Sequence, residues 1–168
     1  MSYKDVPFGE VEKFNVIIET PKGSQNKYEY DEKLDVIKLE WTFKGGFCFP
    51  FDYGFAPQTL GGDNDPLDVF VISEQPSHPG VIAECKPIGI IEVLDKGEID
   101  NKIVAVSLQD QNYNKFESLD KLKFDYKKIF KNFFKELAIQ KNKKIEVKRF
   151  GDKETAIKYI KESLENFK

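Results

Sequence analysis

The feature that most restricts how this chain can fold is a succession of short strand-like runs with no helix-length segment between them. NVIIE (15–19), KYEY (27–30), DVIKLEW (35–41), DVFVIS (68–73), VIAECKPIGIIEVLD (81–95) and KIVAVS (102–107) are β-branched or alternating, and turn clusters such as TPKGSQ, GGDND and EQPSHPG separate them. Strands that follow one another without crossover helices favour an antiparallel barrel or sandwich over a doubly wound sheet. The last third changes period. Asp125 stands where it can cap a helix in which Tyr126, Ile129, Phe130, Phe133, Phe134 and Leu137 make one apolar face. KIEVKRF (144–150) returns to alternation, and Asp152 then opens a second helix with Ala156, Ile157, Ile160, Leu164 and Phe167 on one side. There is no repeat, linker or low-complexity tract, and a chain of 168 residues fits one domain, residues 1–168, around one core.

Charge narrows the partners. A net charge of -3, with lysines and acidic residues interspersed, argues against a nucleic-acid surface. Arg149 is the only arginine, so a bound phosphate must be held mainly by the point charges of lysines. Cys48 and Cys85 form no disulfide framework and sit in or beside apolar strand runs, where inert thiols are expected. The start MSYKDVPFGE lacks an apolar signal core and no run approaches the ~18 residues of a membrane span, so a cytoplasmic protein without membrane contact is expected. His78, the only histidine, falls in a Pro-rich turn and is expected at the surface.

One segment concentrates chemistry. GGDNDPLDVFV (61–71) crowds Asp63, Asp65 and Asp68 at the mouth of an apolar strand, where carboxylates repel one another and burial is costly. A calcium loop is excluded: counted from Asp63, the fifth position is Leu67 and the sixth, where the loop needs glycine, is Asp68. A solvated turn and a catalytic metal site remain open on this segment alone. Asp95 and Asp100 flank the turn DKGEID, Glu19 closes NVIIE and Glu29 stands in KYEY, and strand ends of one small barrel can converge on a single opening. Carboxylates sharing a site need cations to neutralise them, and hard Mg²⁺ prefers oxygen ligands of this kind.

These residues also carry a resemblance. GGDNDPLDVFV resembles the Asp-x-Asp-Pro-x-Asp signature of the soluble inorganic pyrophosphatases of the first, Mg²⁺-dependent family. VIIETP, KYEYD, FPFDYGF and DKGEIDNK resemble further motifs of that family, in the same order. The resemblance implies an α+β fold, a small five-stranded barrel of the oligonucleotide-binding type with additional strands and two helices packed on it. It implies Mg²⁺-dependent hydrolysis of pyrophosphate by a metal-activated water. Asp63, Asp68, Asp95 and Asp100 would bind metal, with Glu19 and Glu29 supporting, Asp65 would be the base for the attacking water, and Lys27, Tyr53 and Lys102 would hold the phosphate under attack. A homo-oligomer, in short chains of the family a hexamer, is implied as well.

The resemblance breaks at one pocket. Where the family has an arginine this chain has Trp41, where it has a Tyr-Lys pair this chain has Leu137 and Ala138, and Phe49 replaces a tyrosine. The arginine and the Tyr-Lys pair belong, in the family, to the pocket for the leaving phosphate. Three outcomes are open at this stage. Lys38, Lys44, Lys135, Lys141, Lys148 or Arg149 could restore charge from another backbone position. An apolar pocket of Trp41, Phe49, Leu137 and Ala138 would suit an organic phosphate or nucleotide instead. A metal- or phosphate-binding homologue without turnover is the third, although pure binding needs no base at Asp65.

Overall fold

A computed structural model describes residues 1–168. In chain order it contains β1 (Gly9–Glu10), β2 (Lys13–Thr20), β3 (Asn26–Asp31), β4 (Val36–Thr42), β5 (Asp52–Ala56), β6 (Leu67–Ile72), β7 (Ile82–Asp95), β8 (Glu98–Ile99), β9 (Lys102–Ser107), α1 (Tyr126–Gln140), β10 (Ile145–Gly151) and α2 (Lys153–Phe167). Hydrogen bonding runs β2-β5-β6-β9-β7, and β7 then pairs back onto β2, so these five strands close into the expected barrel. The long β7 makes closure possible, since its first residues pair with β2 and the rest reach β9 on one edge and β10 on the other. Its register shifts between Pro87 and Gly89, where proline has no N–H to give the ladder and the strand bends.

Side chains of β6 alternate between two buried layers. Val69 and Val71 join Val16, Ile18, Ile90 and Ile103 under α2, whereas Phe70 and Ile72 face Phe130, Phe133 and Phe134 of α1. Burial on both sides explains the unbroken apolar run after Asp68. Gly54 sets the closeness of β5 to β2: a Cβ there would lie 1.9 Å from the Ile17 carbonyl oxygen, a clash with backbone that no rotamer relieves. Both helices begin at the expected caps, Asp125 accepting from the Lys128 N–H at 3.1 Å and Asp152 from the Thr155 N–H at 2.8 Å.

Three expectations need correction. The barrel is not wholly antiparallel, because β6 and β9 run parallel with Asp68 opposite Lys102; the chain reverses into β7 and reverses again before returning beside β6. Asp52–Ala56 is a strand although DYGFA lies between Pro50 and Pro57 without a β-branched residue. Phe167, expected on the buried side of α2, is 50% exposed at the helix end. The turn DKGEID is a tight hairpin, with Lys96 and Gly97 at φ 52 and 82 joining β7 to β8. No helix is long and apolar enough to cross a membrane.

The hairpin of β3 and β4 forms its own two-stranded sheet. It is tied to the end of β2 by the Tyr28 N–H donating to Thr20 Oγ1 at 2.9 Å and the Tyr30 N–H donating to Glu19 Oε1 at 2.8 Å. Its register jumps from Lys27 opposite Trp41 to Tyr28 opposite Leu39, so Glu40 is the extra residue of a bulge.

Candidate active site

The loop before β6 is a turn, one of the two readings its sequence left open. Asp63 Oδ1 accepts the Asp65 N–H at 3.1 Å, an Asx turn, and Asn64 takes a left-handed φ of 64. The loop is also fixed from outside: the Gly62 N–H donates to the Tyr159 hydroxyl on α2 at 3.1 Å, and Thr59 Oγ1 accepts the Leu67 N–H at 2.9 Å. Asp65 is left at the exposed tip, while β6 carries Asp68 inward.

Asp68 meets Lys102 because the parallel register of β6 and β9 places them side by side. The Lys102 ammonium donates to Asp68 at 2.5 Å and to Asp100 at 2.8 Å, with only 6% of its side chain exposed, and lies 5.7 Å from the Tyr53 ring centroid. Burial opposes charge on Lys102, yet Asp68 and Asp100 outweigh it and hold its pKa well above the ordinary lysine value. Burial pushes Asp68 up, with Lys102 pulling the other way; at Asp100 the same opposition ends below the usual carboxylate range. Burial also raises the Tyr53 phenol, which therefore stays protonated and able to donate.

Around this ion cluster opens a cleft of about 520 Å³. Glu19, Lys27, Glu29, Tyr53, Asp63, Asp65, Asp68, Asp95, Asp100 and Lys102 all line it, so every residue expected to bind metal, act as the base or hold the phosphate under attack reaches one place. Burial lifts Glu19 to about 8 against the stabilising Tyr30 N–H, and lifts Asp63 to about 7 with Asp100 and Asp68 adding repulsion. Glu29 is raised by burial, which Lys27 partly offsets.

The residues expected around the leaving phosphate hold the surprises. Trp41 is 41% exposed and outside the cleft, and Ala138 does not line it either; of the four expected apolar residues only Phe49 and Leu137 do. Among the lysines and the arginine considered for restoring charge, Lys141 alone reaches the cleft, and Arg149 is spent on Glu92 at 2.6 Å. Two participants were missed. Glu40 bridges Lys27 and Lys141, at 2.9 Å from the latter, and Lys143 donates to Asp95 at 2.6 Å. Neither was singled out in the sequence: Glu40 lies within the strand run DVIKLEW, and Lys143 just precedes KIEVKRF. His78 is exposed in its turn, Cys85 is fully buried and Cys48 partly so.

The donor set suits a hard divalent cation. Only oxygen ligands line the cleft, with no histidine or cysteine, and Glu19, Glu29, Asp63 and Asp68 are raised chiefly by burial, a cost that a bound cation would offset. As they stand, no three such side chains close on a common point as ion ligands. Lys102 draws Asp68 and Asp100 to its own ammonium, and Lys143 draws Asp95.

Comparison with known proteins identifies a family. The family model described as inorganic pyrophosphatase matches residues 16–168. The chain is 38% identical to an inorganic pyrophosphatase of Aquifex pyrophilus, covering 100% of this chain and 98% of that one. It is 41% identical to one of Nanoarchaeum equitans over 90% and 95% of the two chains. The crystal structure of the Thermus thermophilus inorganic pyrophosphatase superposes with a TM-score of 0.92 at 33% identity, covering 99% of each chain.

Proposed function

The chain belongs to the inorganic pyrophosphatase family, whose members are metal-dependent hydrolases of a phosphoanhydride bond, and we propose how its own residues carry out that reaction. Its substrate is inorganic pyrophosphate: water adds to one phosphorus, the bond to the bridging oxygen breaks, and two phosphates leave. Asp65 takes the proton of the attacking water, a role suited to an open carboxylate at the tip of a loop whose base is pinned to α2. Lys102 supplies a fixed positive charge to the phosphate under attack, Tyr53 donates from a phenol kept neutral by burial, and Lys27 adds a second ammonium.

Asp63, Asp68, Asp95 and Asp100 would hold Mg²⁺, with Glu19 and Glu29 beside them. When bound, the metal lowers the pKa of water and neutralises charge on phosphoryl oxygens. The observation that carries this reading is one buried ammonium, Lys102, serving two carboxylates at the foot of a cleft ringed by more carboxylates. The apolar pocket needed for an organic phosphate has no support, since two of its four residues stand outside the cleft and a lysine stands in it. Assembly as a homo-oligomer, a hexamer by family likeness, accords with Val36, Leu39 and Trp41 exposed on β4, and residence in the cytoplasm accords with two unpaired cysteines.

The test is phosphate release from pyrophosphate with Mg²⁺ and after chelation, beside nucleotides and sugar phosphates. Turnover of pyrophosphate that chelation abolishes is expected; turnover confined to an organic phosphate would overturn the reading. Light scattering checks the assembly state.

A further inference from the structure

Lys27 and Lys141 come from different parts of the chain, β3 and the C-terminal end of α1, yet both give their ammonium to the one carboxylate of Glu40. Glu40 reaches them because it is the bulged residue of β4. All three line the cleft, with 17%, 16% and 31% of their side chains exposed. Lys141 has a second support: its ammonium lies 5.4 Å from the Trp41 ring centroid, a cation–π contact that does not depend on its anion. A pair of ammoniums a single carboxylate can bridge is also a pair that one phosphate can bridge, with more charge and more acceptor oxygens than the carboxylate has.

Taking the proposed pyrophosphate hydrolysis as its premise, we infer that Lys141 seats the phosphate that departs, with Lys27 reaching both this phosphate and the one under attack, and that Glu40 is a resident carboxylate which the departing phosphate displaces from Lys141. Lys141 is then a substrate-binding residue supplied by a position two and three residues beyond Ile139 and Ala138 on the helix end, and Glu40 is a built-in competitor that weakens retention of product. The device has a chemical rationale. Two strongly held product phosphates would slow release, whereas a carboxylate already at hand returns to the lysines as phosphate leaves.

The experiment is titration of the Mg²⁺-loaded protein with inorganic phosphate, together with pyrophosphate kinetics, for the unmodified chain, Lys141→Met, Lys141→Arg, Glu40→Gln and the double variant Glu40→Gln/Lys141→Met. Lys141→Met is expected to weaken phosphate binding and raise KM about tenfold, the loss of one charged hydrogen bond, with kcat changed much less, while Lys141→Arg restores both. Glu40→Gln is expected to tighten phosphate binding by roughly threefold to tenfold, a gain that disappears in the double variant. Phosphate affinity unchanged in Lys141→Met, or weakened or unchanged in Glu40→Gln, overturns the inference; thermal midpoints identify any variant that has merely lost its fold, and Lys141→Arg then decides. Absence of pyrophosphate turnover in the unmodified chain would strike the premise, a result separate from phosphate affinity in the variants.

Discussion

Two ion clusters line the cleft, and their charge ratios differ. On the floor, the single ammonium of Lys102 serves Asp68 and Asp100, with Asp63 close by. On the rim, the two ammoniums of Lys27 and Lys141 share Glu40, and Lys27 also lies 3.6 Å from Glu29. The floor is short of positive charge and suits a cation, whereas the rim is built to trade one anion for another. Their construction differs to match. Floor residues sit on adjacent barrel strands whose register fixes them, while rim residues join a separate two-stranded sheet to a helix end. A preorganised floor and an exchangeable rim divide the work between reaction and binding.

The largest effect separates the two at the level of chemistry. Asp65→Asn removes the proposed base and spares the rim, so kcat should fall by ~10² to 10⁴ while inorganic phosphate binds as before. Loss of phosphate binding with kcat in stopped-flow and titration would mean that the clusters are not independent. Next, Lys102→Met leaves Asp68 and Asp100 without their cation and should cost on the order of 3 kcal/mol in urea unfolding. A cost below about 1 kcal/mol, the range of exposed pairs, would erase the distinction in rigidity. Tyr159→Phe releases Gly62 from α2 and should lower stability by about 0.5–1 kcal/mol and kcat a few-fold, measured by the same unfolding and steady-state assays.

Acid titration gives the smallest effect and tests the rim alone. Burial works against ionisation of Glu40, but Lys27 and Lys141 overcome it and hold its carboxyl at about 2. A depressed folded-state value contributes stability that is present above the unfolded value near ~4.3 and lost as pH falls toward 2. Unfolding of Glu40→Gln should therefore depend less steeply on pH in that window, and an unchanged slope would remove the rim pairing from the acid response.

How much of this was legible in the sequence depended on distance along the chain. Period-two runs marked most barrel strands, and aromatic spacing marked α1, because those signals are local. Asp52–Ala56 escaped because Gly54 is there for a close backbone approach, not for β propensity. The carboxylates of the floor could be read from one compact motif and its neighbours. Glu40 and Lys141 are 101 residues apart, and their meeting depends on a bulge that no composition announces. Trp41 was drawn into the pocket by position, yet in the folded chain it stands outside and its ring meets the Lys141 ammonium.

The parallel pairing of β6 and β9 has a consequence for how the molecule comes into being. Asp68 and Lys102 are separated by 34 residues, and β7 lies between them in the chain while also closing the barrel onto β2. Non-local pairing of this kind is slow, since the loop must close before its contacts reward it. A chain that has formed its hairpin and helices but not this pair has no floor at all. Recovery of catalysis during refolding should accordingly lag behind recovery of helix signal, which makes activity itself a clock for barrel closure.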